Sequence, residues 1–459
     1  MTAVPRGWRA VLVLSTLAIA CSPRRVREDD QPTGMISLPR TAADSAKSPA
    51  QPRQPELPGD EAPPPRMEGA RDVRVALATA AQGAVLSGTG AFRVFDARNA
   101  VLIRARGPDA WSVERRGRQL RAVRQGTATS WSDGVLTLRP DRDEEFGVFA
   151  GQRFRGVLRV VASDTGIVVV NVLPLDWYLR GVVPLEIGGP RAGDESAAVE
   201  AQAIAARSYA VVRLAATEGG SSRNASYDLL ASVADQVYGG ADAERPFSDQ
   251  AVARTVGLVL RYGGRVVSAP YHSTCGGETA APDEVWRAGN EPFLQRVSDR
   301  IPGTADRFYC DISPRFSWTR TFTAAELDAA VSAYLAGYTT VPPGGAGHIR
   351  DAVVESRTPS GRVARLVLAA ERGNFGLRGN DIRYVLRAPG GEILNSTYFS
   401  LQTESRRDGG LARLVVKGNG YGHGIGMCQW GAIGRARAGQ SARAILATYY
   451  PGTTVGLMN

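Results

Sequence analysis

From Val73 onward, short apolar stretches alternate with glycine-rich turns: Arg74 to Ala78, Phe92 to Phe95, Val101 to Ile103, Gly134 to Leu138 and Gly156 to Val161. Such runs bounded by turn residues predict strands. Val157 to Val161 and Ile167 to Val172, around Ser163, Asp164, Thr165 and Gly166, predict a hairpin. The pattern then changes. Pro174 at a first helical position and Gly181 at a C′ position predict a short helix, followed by a loop from Val182 to Gly193. An alanine-rich helix is predicted over about Glu195 to Arg213, where Gln202 and Tyr209, seven apart, share one face. Thr323 and Glu326 form a capping box, and strands are predicted near Ile349 to Glu355 and Val363 to Ala370. A glycine-rich segment and a pair of helices close the chain. The expected fold class is α+β, with a β-rich body and no repeat of solenoid period.

The first 71 residues read differently. Arg6 and Arg9 precede an apolar run from Ala10 to Ala20 and then Cys21. The run is shorter than the ~20 residues a membrane-spanning helix needs, so residues 1–20 read as a secretion signal. From Ser22 to Arg71 the chain is rich in Pro, Ser, Asp, Glu and Arg, too poor in apolar surface to offset chain entropy. It is expected to be a disordered linker, 21–71, followed by a β-rich region, 72–155, and a main domain, 156–457. Leu17 to Ala20 before Cys21 are similar to the lipobox of bacterial lipoproteins, which implies acylation at Cys21. Ordinary signal-peptide cleavage after a small residue is the alternative.

The net charge of +10 suits an acidic partner. Lys47 and Lys417 are the only lysines among 55 basic residues, and the arginines are scattered. That distribution, with export and no recognised module, argues against nucleic acid. In an oxidising compartment Cys275, Cys310 and Cys428 predict one disulfide and one free thiol, with Cys275 and Cys310 paired because they flank the same middle segment. Zinc on His272, Cys275 and Cys310 would lack a fourth protein ligand, so no metal and no cofactor are expected.

Four segments carry candidate chemistry. Val170-Asn171-Val172-Leu173-Pro174-Leu175-Asp176-Trp177-Tyr178-Leu179-Arg180-Gly181-Val182-Val183-Pro184-Leu185-Glu186-Ile187 resembles the hallmark of the stage II sporulation protein D and amidase-enhancer family, with Ile187 where the family has methionine. The resemblance implies a single catalytic glutamate at Glu186. The flanking Val182, Val183, Pro184, Leu185 and Ile187 would desolvate that carboxyl and raise its pKa, as a general acid requires. Glu200 to Ala210 resembles the family's alanine-rich helix and implies a glycan groove lined by Gln202 and Tyr209. The alternative reading is that Arg207 and Tyr209 satisfy buried backbone groups, which for Arg207 holds at least equally. The third segment is Asp235 to Gly240 followed by Tyr271 to Thr279 and Glu284 to Trp286; some relatives carry cysteine and histidine just before the Gln-Val-Tyr, where they can bind zinc, and this chain has Leu229 to Ala234 there.

The fourth segment, Gly418 to Ala432, resembles the family's glycine-rich signature. Alternate glycines would leave one face bare for a sugar ring or another backbone. Tyr421, His423 and Gln429 are the implied substrate-binding residues, although His423 serves equally well as a structural histidine. No phosphate-loop pattern is completed.

Two activities follow from the resemblance. In one, the chain is a lytic transglycosylase cutting MurNAc–GlcNAc bonds of denuded glycan strands to 1,6-anhydroMurNAc. In the other, it is a non-catalytic glycan-binding enhancer of an N-acetylmuramoyl-L-alanine amidase. The implied partners are peptidoglycan strands and an amidase acting upstream, with the membrane met through the lipid anchor only. The implied location is the cell envelope, as an outer-membrane lipoprotein facing the periplasm.

Overall fold

A computed structural model describes residues 71–191, 193–217, 226–407 and 410–458. The signal segment, Cys21 and the linker through residue 70 lie outside the described residues. The body is strand-rich α+β. One seven-stranded sheet has the order Leu229–Leu230, Asp72–Ala81, Gly166–Pro174, Val157–Ser163, Val135–Pro140, Ala91–Phe95 and Val101–Arg106. It therefore draws strands from both sides of residue 155. A second sheet is built from the intervening segments, among them Ala84–Gly88, Trp111–Arg116 and Gln119–Arg124.

The predicted hairpin is present, with Val157↔Val172 and Ser163↔Gly166 closing its two ends. Its second strand is buried on both faces over most of its length, which accounts for an apolar run broken only at Asn171. That strand leads directly into the first helix, α1 (Leu175–Ile187), capped by Pro174. The predicted stop at Gly181 is not where α1 ends: the helix continues through Gly181 and Pro184 to Ile187. Gly181 is required by a close approach, because a Cβ there would lie 2.5 Å from the Tyr238 ring and 2.9 Å from the Gly240 carbonyl. The positive φ that ends the helix belongs to Gly188, at 67°. Glu186 consequently sits in the last turn of a helix and not on a loop.

The alanine-rich helix α2 (Ser196–Ala216) packs on α1, with Ala198, Ala201, Ala203, Ala205, Ala206 and Ala210 all buried. Small side chains let the two axes approach, and α3 (Pro246–Arg254) packs beside both. Among the described residues no helix is long and apolar enough to cross a membrane.

A separate apolar core lies within residues 317–419. It joins two three-stranded antiparallel sheets, Ser317–Thr323 with Leu411–Asn419 and Phe399–Ser405, and Ile349–Arg357 with Val363–Ala370 and Gly373–Arg378. The helix Ala324–Tyr334 opens on the predicted capping box: Thr323 Oγ1 accepts from the Glu326 amide, and Glu326 Oε2 accepts from the Thr323 amide at 2.9 Å. The terminal helices Gln429–Arg437 and Ala442–Tyr449 return to the first core.

Candidate active site

Glu186 is 1% exposed. Its Oε1 accepts the Val237 amide at 3.0 Å, and its Oε2 has no hydrogen-bond partner of good geometry among the described residues. Loss of solvation outweighs the help of that amide and of the nearby Tyr271 hydroxyl and Gln429 amide, and pushes the carboxyl up to about 8. At neutral pH it is mostly a neutral acid.

The groups around Glu186 come from distant parts of the chain. Tyr271 is held by Gln236, whose Nε2 donates to the Tyr271 hydroxyl at 2.9 Å and to the Ala206 carbonyl of α2 at 3.3 Å. Tyr178 of α1 donates to Gln236 Oε1 at 3.1 Å. Burial holds both tyrosine hydroxyls well above their ordinary range, so they act as neutral hydrogen-bonding groups. On the other side, Gln429 Nε2 donates to Gln202 Oε1 at 3.2 Å, leaving Gln202 Nε2 and Gln429 Oε1 without partners among the described residues.

Glu186, Gln202 and Gln429 are thus brought together, and the other implied binding residues stand apart. Tyr209 donates to Asp235 Oδ1 at 2.9 Å, an oxygen that Arg213 also meets at 3.0 Å, so it braces the segment before Gln236. Tyr421 lies under the Arg315 guanidinium, 4.1 Å from its ring centre. His423 is buried against His272 and Trp286, and its Nδ1 accepts from the Ile425 amide at 3.0 Å. Burial drives its pKa well below the ordinary range, and it faces the Tyr271 main chain, one layer behind the carboxyl.

Of the two occupants expected for the face that the glycines leave bare, the structure shows another backbone: a Cβ at Gly426 would lie 2.0 Å from the Pro270 carbonyl and one at Gly420 2.6 Å from that of Thr274. The backbone of 270–275 fills the space that the missing side chains leave, and Tyr421 and Thr274 exchange main-chain hydrogen bonds there. Gln202, His423 and Gln429 are buried within the body. Arg207 takes the second of its readings, with Asp176 at 2.8 Å and the Leu258 carbonyl at 3.1 Å. Cys275, Cys310 and Cys428 are free thiols, with the Cys275 and Cys310 sulfurs 3.4 Å apart. A cavity of about 860 Å³ lies elsewhere, among Arg93, Arg139, Asp141, Arg159 and Trp177.

The family described as Stage II sporulation protein matches residues 163–262, the stretch that holds α1, α2 and Gln236. Stage II sporulation protein D of Bacillus amyloliquefaciens is 30% identical over 302 residues, covering 62% of this chain and 75% of that protein. The chain belongs to the stage II sporulation protein D family. The Amidase enhancer of Bacillus subtilis (strain 168) is 27% identical over 314 residues, covering 60% of this chain and 40% of that protein, so the present chain spans well under half of it. An uncharacterized protein of Brachyspira hyodysenteriae is 27% identical over 308 residues, covering 66% and 73% of the two. A domain of unknown function (DUF8618) matches residues 305–426, the region of the separate apolar core.

Tyr178, Gln236, Tyr271 and the Val237 amide were not singled out from the sequence as site groups of this family member. Each lies inside a family motif segment, and a tyrosine or glutamine amid apolar neighbours was the available signal.

Proposed function

We propose that this family member is a peptidoglycan lytic transglycosylase whose single acid and base is Glu186. The observation that carries the reading is a buried carboxyl with one oxygen bonded to an amide and the other unpartnered among the described residues, in surroundings whose burial raises its pKa. Glu186 Oε2 gives its proton to the oxygen linking MurNAc to GlcNAc as that bond breaks. The carboxylate then takes the proton of the muramyl C6 hydroxyl while that oxygen attacks C1, forming the 1,6-anhydro ring. No water enters, the acid is regenerated, and no second carboxylate is required, unlike a hydrolytic glycosidase. The Val237 amide supports the carboxylate between the two steps. Gln202 and Gln429, with unpartnered amide atoms beside it, are the sugar-binding groups. The expected substrate is denuded glycan, supplied by an amidase, and the expected setting is the cell envelope, with Cys21 as the lipid anchor.

Mass spectrometry of products from purified denuded glycans tests this. The parent protein should release 1,6-anhydromuramyl ends, and Glu186→Gln should not. Equal release by both would remove Glu186 from the mechanism.

A second reading rests on a specific observation: Glu186, Gln202 and Gln429 are all shut from solvent, and one relative is named Amidase enhancer. In that reading the chain binds glycan and raises a partner amidase's rate without cutting. It predicts no anhydro products from either protein and an amidase rate that rises equally with both.

A further inference from the structure

The three cysteines that follow the linker, remote from one another in sequence, converge on one buried carboxylate. One ligand atom each from Cys275, Cys310, Cys428 and Asp299 lies within 4.8 Å of the other three, and all four residues are buried. Four ligands at about 2.0–2.3 Å from a tetrahedral zinc lie roughly 3.5–3.8 Å from one another. The observed separations fit that scale: Cys275 Sγ stands 3.4 Å from Cys310 Sγ and 3.8 Å from Asp299 Oδ2. We infer that this cluster is a structural site for a divalent, thiolate-favouring cation such as zinc, with Cys275, Cys310, Cys428 and Asp299 as its ligands.

The surroundings support the assignment. Asp299 Oδ1 accepts from the Tyr449 hydroxyl at 2.7 Å and from Arg435 at 3.1 Å, which fixes the carboxylate and turns Oδ2 toward the sulfurs. Main-chain amides are aimed at sulfur as thiolate partners: Cys275 and Gly431 donate to Cys428 Sγ at 3.2 and 3.3 Å, and Gly277 donates to Cys275 Sγ at 3.4 Å. Three thiolates and a carboxylate around a doubly charged cation leave excess negative charge, and two buried guanidinium groups face it. Arg435 bonds Asp299, and Arg362 donates to the Cys275 carbonyl at 3.0 Å. A single disulfide would use two of the sulfurs and leave the third thiol buried beside the carboxylate.

The site would tie together three segments that carry the active region. Cys275 follows the Tyr271–His272 strand, Cys310 and Asp299 belong to the long connection after it, and Cys428 caps the helix that begins at Gln429. Binding releases the thiol protons to solvent. Its role is to hold Gln429 and Tyr271 in place, and no reaction step passes through the metal.

Metal analysis of the full chain purified without added metal, with cobalt(II) substitution, is the test. One zinc per chain is expected, together with a cobalt spectrum carrying thiolate charge-transfer bands and tetrahedral d–d bands. Cys428→Ser and Asp299→Asn should lose or weaken both. Should either variant fold poorly, the cobalt spectrum of the parent decides alone. A metal-free chain with a Cys275–Cys310 bond on non-reducing peptide mapping would overturn the inference. Zinc retained unchanged by Cys428→Ser and Cys310→Ser would overturn it equally.

Discussion

The core within residues 317–419 and the surroundings of Glu186 are packed to similar depth from opposite materials. The first is filled by Phe322, Leu327, Leu366, Leu368, Leu414 and Val416, and the Arg383 side chain buried with them donates to the Leu394 carbonyl and to Asn380 Oδ1. The second buries Glu186, Gln202, Gln429, His272 and His423, with Trp286 half-buried beside them, each with a polar atom unpartnered among the described residues. Burying a polar atom without a partner costs about 1–3 kcal/mol, so a region that collects several is maintained against its own stability. The difference teaches where the fold is supported and where it is loaded for another purpose. Strongly shifted carboxyls in such surroundings mark candidate chemistry.

The largest expected effect lies in the loaded region. Glu186→Gln keeps the shape and removes the proton, and should lower release of anhydromuramyl products by about 10²–10⁴-fold or more, the range general acid–base groups supply. Its fold should be retained, as circular dichroism would show. An unchanged rate would erase the functional half of the comparison.

The same carboxyl makes stability depend on pH. Its folded value of about 8 lies above the ordinary value of 4.5, so between those limits the folded state holds a proton that the unfolded chain has lost. Its contribution is fully present below about pH 4.5, declines as pH rises, and is gone above about 8, a loss on the order of a few kcal/mol. Denaturant melts of parent and Glu186→Gln across pH 5–9 should show a steeper decline in the parent than in the variant. Parallel curves would mean that burial does not shift the group.

In the supporting region the effects should be structural alone. Leu366→Ala removes a fully buried side chain and should cost about 2–5 kcal/mol. The titration of Glu186 should not move below the melting transition. A shift in it would show that the two cores are coupled. The smallest effect is expected of Thr323→Ala, which deletes the helix cap and should cost about 1 kcal/mol with no change in product release.

Local rules made the scaffold readable in both regions. The capping box, the Val157 to Val172 hairpin and the alanine helix each depend on residues close in sequence. Gly181 misled because glycine serves both helix ends and close approaches, and only the Tyr238 ring, far along the chain, decides between them. Glu186 was legible through its apolar neighbours and the family motif. The Tyr178–Gln236–Tyr271 chain was not, since its members lie 58 and 35 residues apart and no spacing rule links them. Cys428 was set aside for a similar reason: pairing arithmetic favours two cysteines near one another in sequence, and the fold brings in the third.

The central claim is that Glu186 is a neutral acid at physiological pH. Titration of its carboxyl carbon by NMR, in full chain labelled at glutamate and assigned by loss of the signal in Glu186→Gln, tests it most directly. The account predicts a midpoint of about 8. A midpoint near the ordinary 4.5 would contradict it, leaving a carboxylate with no proton to give.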